Sequence, residues 1–129
     1  MMNNMKSSEE YAFPFERYDV WKLSVDMTLN IYAITAGFPS EEKFGLISQL
    51  RRASSSVGAN IAEGVSRLSE KEKARFLEMA FGSLMEVAHF TMLSRDLNFI
   101  SIKQNEEMKI QIFEISNKIN SLHKKMLGR

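Results

Sequence analysis

Apolar residues recur every three or four positions along most of this chain, and this spacing constrains its fold more than any other feature. The last third shows it most clearly, because apolar residues there are separated by four, three, four, three and four positions: Met108, Ile112, Ile115, Ile119, Leu122 and Met126. This spacing is typical of a narrow seam along an α-helix. No segment alternates apolar and polar residues over a sustained stretch, and the only prolines are Pro14 and Pro39. The sequence therefore predicts an all-α fold.

Capping and turn residues divide the chain into four predicted helices. We predict them over about 18–36, from a Ser40 N-cap to about 66, from a Ser69 N-cap to about 98, and over about 102–126. Ser69 is followed three residues later by Glu72, which is the pattern of a capping box. The predicted connections are short, so neighbouring helices should run antiparallel. An up-down four-helix bundle follows.

Composition places the chain in a broad class. Its 129 residues are enough for one domain with a buried core, which we assign to residues 14–129, with residues 1–13 as a mobile N-terminal tail. There is no cysteine, no apolar run of membrane-spanning length and no signal-peptide pattern, so we expect a cytoplasmic protein. The formal net charge is +1, which does not indicate a strongly basic nucleic-acid binder.

The first predicted helix has two apolar faces. One face carries Trp21, Val25, Leu29 and Tyr32, and the opposite face carries Val20, Leu23, Met27, Ile31 and Ile34. A bundle helix needs one buried stripe, and large exposed apolar patches are uncommon on soluble monomers. We interpret the second face as a candidate subunit interface. The alternative is that this helix is more enclosed within a single chain.

The side chains of the second predicted helix are unusually small and polar over residues 49–64, "QLRRASSSVGANIAEG". Leu50, Ser54, Val57 and Ile61 form its predicted core stripe, which Phe44, Ile47 and Leu68 extend. Glycine is unfavourable inside a helix, and close packing would offset that cost at Gly45, Gly58 and Gly82. Arg52, Asn60 and Glu63 lie on its polar face. They are predicted either to be solvated or to form a buried or interfacial network with Glu86 or Ser83 of the third helix.

The same segment resembles a known family. The run "QLRRASSSVGANIAEGVSR", with "FPSEEKFGL" before it and "FLEMAFGSLMEV" after it, resembles the signature of bacterial four-helix-bundle proteins found in intervening sequences of large-subunit ribosomal RNA genes. The resemblance covers about residues 14–126 and implies assembly as a ring-like homopentamer. A related branch is the accessory protein of diversity-generating retroelements, which implies binding to a reverse transcriptase and contact with nucleic acid.

Catalysis is not indicated by any motif. The only imidazoles are those of His89 and His123. Glu86 and His89 have the Glu-x-x-His spacing of half a di-iron site, but Asn120 stands where a second half would need an acid. We therefore predict no enzyme activity, no metal and no cofactor.

Basic residues cluster towards two segments that an antiparallel bundle can bring to the same end. The candidate nucleic-acid contacts are Arg51, Arg67, Lys71, Lys73, Arg75, Lys124 and Lys125. Clustered charge raises affinity for phosphate, although solvated helix ends are the plainer interpretation. We favour an oligomeric scaffold that binds a protein partner such as a reverse transcriptase. The alternative is a weak, salt-dependent RNA- or DNA-binding protein.

Overall fold

The computed structural model describes residues 12–128, and every regular element in that range is helical. Four α-helices form the body of the fold: α1 (Asp19–Thr35), α2 (Leu46–Val65), α3 (Glu70–Asp96) and α4 (Ile102–Met126). Two short 3-10 helices, Pro14–Arg17 and Ser40–Glu42, precede α1 and α2. The predicted all-α fold with four helices is confirmed. Of the predicted tail, only residues 12 and 13 lie within the described range.

The start of α2 differs from the prediction. Ser40 begins a 3-10 helix, while α2 begins six residues later at Leu46, with Gly45 as its N-cap. The Leu46 N–H donates to Glu42 Oε1 at 3.1 Å. A carboxylate therefore satisfies one of the free N–H groups of this helix end, in place of the predicted serine.

The caps of the last two helices follow the sequence more closely. The hydroxyl of Ser69 accepts a hydrogen bond from the Glu72 N–H at 3.1 Å, as predicted. The Glu72 carboxylate does not return the contact, since it pairs with Arg75 instead. A complete capping box forms at α4, where Ser101 and Gln104 each bind the backbone N–H of the other. That second box was not predicted from the sequence.

The core lies where the four helices meet. Its most enclosed large side chains are Met27, Ile31, Leu50, Ile61, Leu77, Leu84, Ile115 and Ile119. The predicted seam of α4 is confirmed, with Leu122 only partly buried. Phe44 and Leu68 are 89% and 99% exposed, against the prediction. Both lie outside α2, so the helical phase that placed them on the core stripe does not extend to them.

The face of α1 that we predicted to be a subunit interface is the face that packs in the core. Val20, Met27 and Ile31 are buried in the core of the single chain, and Leu23 and Ile34 pack against it. These five residues are therefore the core face of α1 and not a subunit interface. The pattern showed two apolar faces, but it did not show which one faces inwards.

Two glycines of α2 allow the neighbouring helices to approach closely. A Cβ atom at Gly58 would lie 2.8 Å from Ser24 Oγ of α1, and one at Gly64 would lie 2.9 Å from Phe76 Cβ of α3. Thr28 of α1 also donates from its hydroxyl to the Ser54 carbonyl at 3.1 Å. Close packing does not explain Gly82, because a Cβ atom at that position would have no neighbouring helix within 4 Å.

Contacts between neighbouring helices pair their residues in opposite order. Ser24 and Thr35 of α1 meet Gly58 and Arg51 of α2. Arg52 and Gly64 of α2 meet Glu86 and Phe76 of α3. Glu78, in the first half of α3, meets His123, near the end of α4. The end of α2, the start of α3 and the end of α4 are therefore neighbours.

The same substitution at two glycines should change stability in opposite directions. Gly64→Ala should lower the free energy of unfolding by about 1–3 kcal/mol, because the new methyl group overlaps Phe76 Cβ and lies 3.4 Å from the Lys73 carbonyl oxygen. Gly82→Ala should raise it by about 0.5–1 kcal/mol, since alanine favours the helix and meets open space. Urea unfolding of both variants measures this difference. Equal effects at the two positions would contradict the close approach of α2 and α3.

Candidate functional site

A polar ridge follows the contact between α2 and α3, and we define it as Arg52, Ser56 and Asn60 of α2 with Ser83 and Glu86 of α3. Arg52 Nη2 lies 2.9 Å from Glu86 Oε2 and 3.0 Å from Gln49 Oε1. The side chains of Arg52 and Glu86 are 57% and 45% exposed. The predicted partner Glu86 is thus correct, but in the single chain the pair is a surface ion pair, which stabilises a fold little.

Ser56 links the remaining members of the ridge. Asn60 Nδ2 donates to the Ser56 carbonyl at 2.9 Å, and the hydroxyls of Ser83 and Ser56 are 3.0 Å apart. Ser83 is 9% exposed, and Ser56 and Asn60 are partly buried, so this part of the ridge is less exposed than the Arg52–Glu86 pair. Glu63 does not join it, because its carboxylate binds Arg67 at 2.8 Å. The predicted network is therefore divided into two parts, and Glu63 belongs to neither.

Four of the seven predicted cations lie in the turn after α2 and in the first two turns of α3, and acids pair with three of these four. Arg67 pairs with Glu63, Lys73 with Glu70 at 3.2 Å, and Arg75 with Glu72 at 3.0 Å. The guanidinium carbons of Arg67 and Arg75 lie 4.5 and 4.7 Å from the centre of the Phe76 ring. These contacts are local, so the three cations mainly cover Phe76 and neutralise nearby acids.

The Arg75–Glu72 pair is a two-pronged contact. Arg75 Nε donates to one carboxylate oxygen of Glu72 at 3.0 Å and Nη2 donates to the other at 3.1 Å. These hydrogen bonds lower the pKa of the Glu72 carboxyl and raise the pKa of the Arg75 guanidinium. Both groups stay charged at neutral pH, and the pair presents little net charge to a phosphate.

We call the end of the fold where α2 ends, α3 begins and α4 ends the basic end, and Arg51 lies apart from it, against our prediction. Its Nε donates to Thr35 Oγ1 at 2.9 Å, its Nη2 donates to the Tyr32 carbonyl at 3.3 Å, and its guanidinium lies 4.5 Å from the Tyr32 ring centre. It therefore satisfies carbonyl and hydroxyl groups at the C-terminal end of α1. Sixteen positions separate it from Arg67, which corresponds to about 24 Å at the rise of an α-helix.

Three lysines at the basic end remain available for a ligand. Lys71, Lys124 and Lys125 are exposed and form no ion pair with any residue from 12 to 128. The start of α3 and the end of α4 are neighbours there, as the 3.0 Å contact between Glu78 and His123 shows. The candidate nucleic-acid surface is therefore reduced from seven cations to these three.

The half-motif for a di-iron site has no supporting geometry. Glu86 binds Arg52, and His89 is exposed beside the Phe90 ring. Within residues 12–128 no three His, Asp or Glu side chains are grouped closely enough to hold a metal ion. The helices of this range are also too short or too polar to cross a membrane.

An outward apolar face on α1 consists of residues that the sequence pattern had placed in the core. We call it the outer face and define it as Val25, Leu29 and Tyr32. Leu29 is 63% exposed and Tyr32 is 44% exposed, while Val25 is partly buried. On the adjacent α2, the exposed residues Ser55 and Ala59 are small. The sequence indicated this face, because the apolar spacing of α1 showed two apolar faces and only one of them can face the core.

Removal of the Arg51 side chain should cost stability, whereas removal of the Lys71 side chain should not, because only Arg51 binds groups of a neighbouring helix. Arg51→Ala should lower the free energy of unfolding by about 1–2 kcal/mol, since it leaves the Thr35 hydroxyl and the Tyr32 carbonyl without their charged donor. Lys71→Ala should change it by less than about 0.5 kcal/mol. Thermal unfolding gives both values. A loss of stability at Lys71 as large as that at Arg51 would contradict these roles.

Comparison with known proteins agrees with this fold. A family model described as 23S rRNA-intervening sequence protein matches residues 16–121. No curated protein matches the chain. One similar crystal structure is that of a protein of unknown function from the S23 ribosomal protein family of Bacteroides thetaiotaomicron. It has a TM-score of 0.73 and 23% sequence identity, covering 81% of this chain and 98% of that chain. At this identity the likeness shows the fold alone, whereas the family model spans most of the sequence. The chain therefore belongs to the family of 23S rRNA-intervening sequence proteins.

Proposed function

We propose that the protein is a non-enzymatic scaffold, an up-down four-helix bundle that assembles with copies of itself and binds another protein. The outer face of α1 carries this proposal. Leu29, at 63% exposure, places most of a large apolar side chain in water. Contiguous exposed apolar residues on a soluble protein mark sites of association. The self-associating surface proposed now is this face, in place of the core face that the sequence suggested.

The composition beside the outer face suits a helix–helix contact. Ser55 and Ala59 on α2 are exposed and small, so a partner helix can come close to the α2 backbone. Tyr32 and Arg51 stand in contact at the edge of this surface. Tyrosine and arginine are enriched among the residues that contribute most to protein–protein binding. The half-exposed Arg52–Glu86 pair would then lie towards the polar rim.

The resemblance to the intervening-sequence proteins suggests the size of the assembly and the kind of partner. It favours a ring of five chains, and its retroelement branch favours a polymerase such as a reverse transcriptase as the partner. A ring requires two different contact faces on each chain, and the outer face would supply one of them.

A second candidate function is salt-dependent binding of RNA or DNA. Lys71, Lys124 and Lys125 favour it, since all three are exposed at the same end and lack an ion pair within the described part of the chain. A ring would repeat these lysines around its axis, and several phosphate contacts made together raise affinity steeply at low salt.

Leu29→Glu should reduce the assembly to single chains of 14.8 kDa, because a carboxylate would be buried at the proposed contact without a partner. Light scattering after size-exclusion chromatography measures the mass, and circular dichroism checks that the helices persist. Ile102→Glu is the matched control, since Ile102 is 73% exposed on α4 and is not part of the outer face. A wild-type protein that is already monomeric, or equal effects of both variants, would contradict the scaffold proposal.

Lys71→Glu combined with Lys124→Glu should abolish any retention on a structured RNA at low salt. The reversal of two charges removes attraction to phosphate and adds repulsion. Retention is measured over a series of salt concentrations, with Lys43→Glu and Lys103→Glu together as a control of equal charge change, since both lysines are exposed at the opposite end of the helices. RNA binding that survives the first pair, or is lost equally with the control pair, would exclude the basic end as the binding surface.

A further inference from the structure

An open apolar groove runs along the outside of the bundle between α3 and α4. Its volume is about 300 Å³, and its apolar lining includes Phe81, Met85, Met92, Ile112 and Phe113. Met85, Met92 and Phe113 are 39%, 47% and 59% exposed, so the groove places large apolar side chains in water. Contiguous exposed apolar residues mark sites of association on soluble proteins. The outer face of α1 shares this property.

The groove and the outer face lie on opposite sides of the bundle. Each helix packs against two others, in the cyclic order α1, α2, α3 and α4. The outer face follows the edge between α1 and α2, because its Tyr32 ring contacts Arg51. The groove follows the edge between α3 and α4, which is the opposite edge. Two unlike surfaces on opposite sides of a chain allow identical copies to associate head to tail.

The two surfaces also lie at the same height along the bundle. Asn30 Nδ2 donates to Gln111 Oε1 at 3.1 Å, so these two residues mark one level on α1 and α4. Leu29 of the outer face directly precedes Asn30, and Ile112 of the groove directly follows Gln111. A head-to-tail contact between surfaces at one height adds little displacement along the bundle axis. Such a contact can close as a ring instead of extending as a helical filament.

The charges beside the two surfaces are complementary in their order. Asp26 and Arg51 flank the outer face, while Lys109 lines the groove and Glu106 stands one turn before it. None of these four forms an ion pair with a residue from 12 to 128. α1 begins at the basic end, since its first turn and the last two turns of α4 line one hollow. Counted from that end, the outer face is negative and then positive, whereas the groove is positive and then negative.

We propose that the groove binds the outer face of a second copy of this chain. The inference rests on the proposed scaffold function, because it names the surface that receives the outer face. Leu29 enters the groove between Met85 and Met92, whose flexible side chains adapt to it. Arg95 also lines the groove, but it pairs with Asp96 at 2.9 Å and stays at the margin. The match in height and in charge order favours a copy of this chain over an unrelated partner.

Phe113→Glu should reduce the assembly to single chains, because the next copy would bury the new carboxylate without a partner. The isolated chain should stay folded, since Phe113 is already exposed, and circular dichroism checks this. Ile110→Glu is the matched control, because Ile110 is 69% exposed on the same helix and does not line the groove. Light scattering should give the wild-type mass for this control.

A mixture of Phe113→Glu and Leu29→Glu distinguishes a head-to-tail contact from a symmetric one. Each variant keeps one surface intact, so the outer face of a Phe113→Glu chain can bind the groove of a Leu29→Glu chain. The mixture should form a complex of two chains, each of 14.8 kDa, while either variant alone stays a single chain. High protein concentration is required, since one contact is weaker than the several contacts of a closed ring. A misfolded variant could not restore this contact.

Three results would contradict the inference, and they differ in what they leave standing. If Leu29→Glu is a single chain but Phe113→Glu keeps the wild-type mass, the groove is not the receiving surface and the scaffold proposal survives. If both variants are single chains that do not associate when mixed, the contact is not head to tail. If the wild-type protein is a single chain, the scaffold proposal fails and the inference fails with it.

Discussion

The close contact between α2 and α3 is the constraint on which the rest of the structure depends. Gly64 allows the backbone of α2 to approach the first turns of α3, and the hydroxyls of Ser56 and Ser83 meet further along the same contact. A bulkier residue at either place would separate the helices and open the core between them. The small residues of α2 are therefore explained by packing, and the Arg52–Glu86 pair shows the register that this packing sets.

Much of the fold could be predicted from the sequence, because it depends on local periodicity. The α4 seam and the Ser69 cap use spacings of three and four residues, which any α-helix converts into a face or a cap. The inward face of α1 depends instead on what its neighbours present, and Ser24 against Gly58 is not visible from α1 alone. The prediction that Phe44 is in the core was wrong for a related reason, since Phe44 lies before the start of α2 and does not follow the helical periodicity.

The candidate surfaces were predicted less well, although part of the missing information was in the sequence. Glu63 stands four residues before Arg67, and Glu70 and Glu72 stand three before Lys73 and Arg75, which are the spacings at which helical side chains meet. These ion pairs could have been recognised from the sequence, and their cations removed from the set of candidate phosphate contacts. The contact of Arg51 with Thr35 could not, because it joins two helices across a turn.

Arg51 has a consequence for how fast and how tightly the outer face can associate. It binds the carbonyl of Tyr32 and stacks on its ring, so the tyrosine is restricted in its rotamers within the isolated chain. The conformational entropy of that side chain is lost when the protein folds, and association does not have to remove it again. A partner therefore meets a rigid aromatic surface on first encounter. Loosening Arg51 would therefore weaken such a complex by more than the loss of any contact that Arg51 itself makes with the partner.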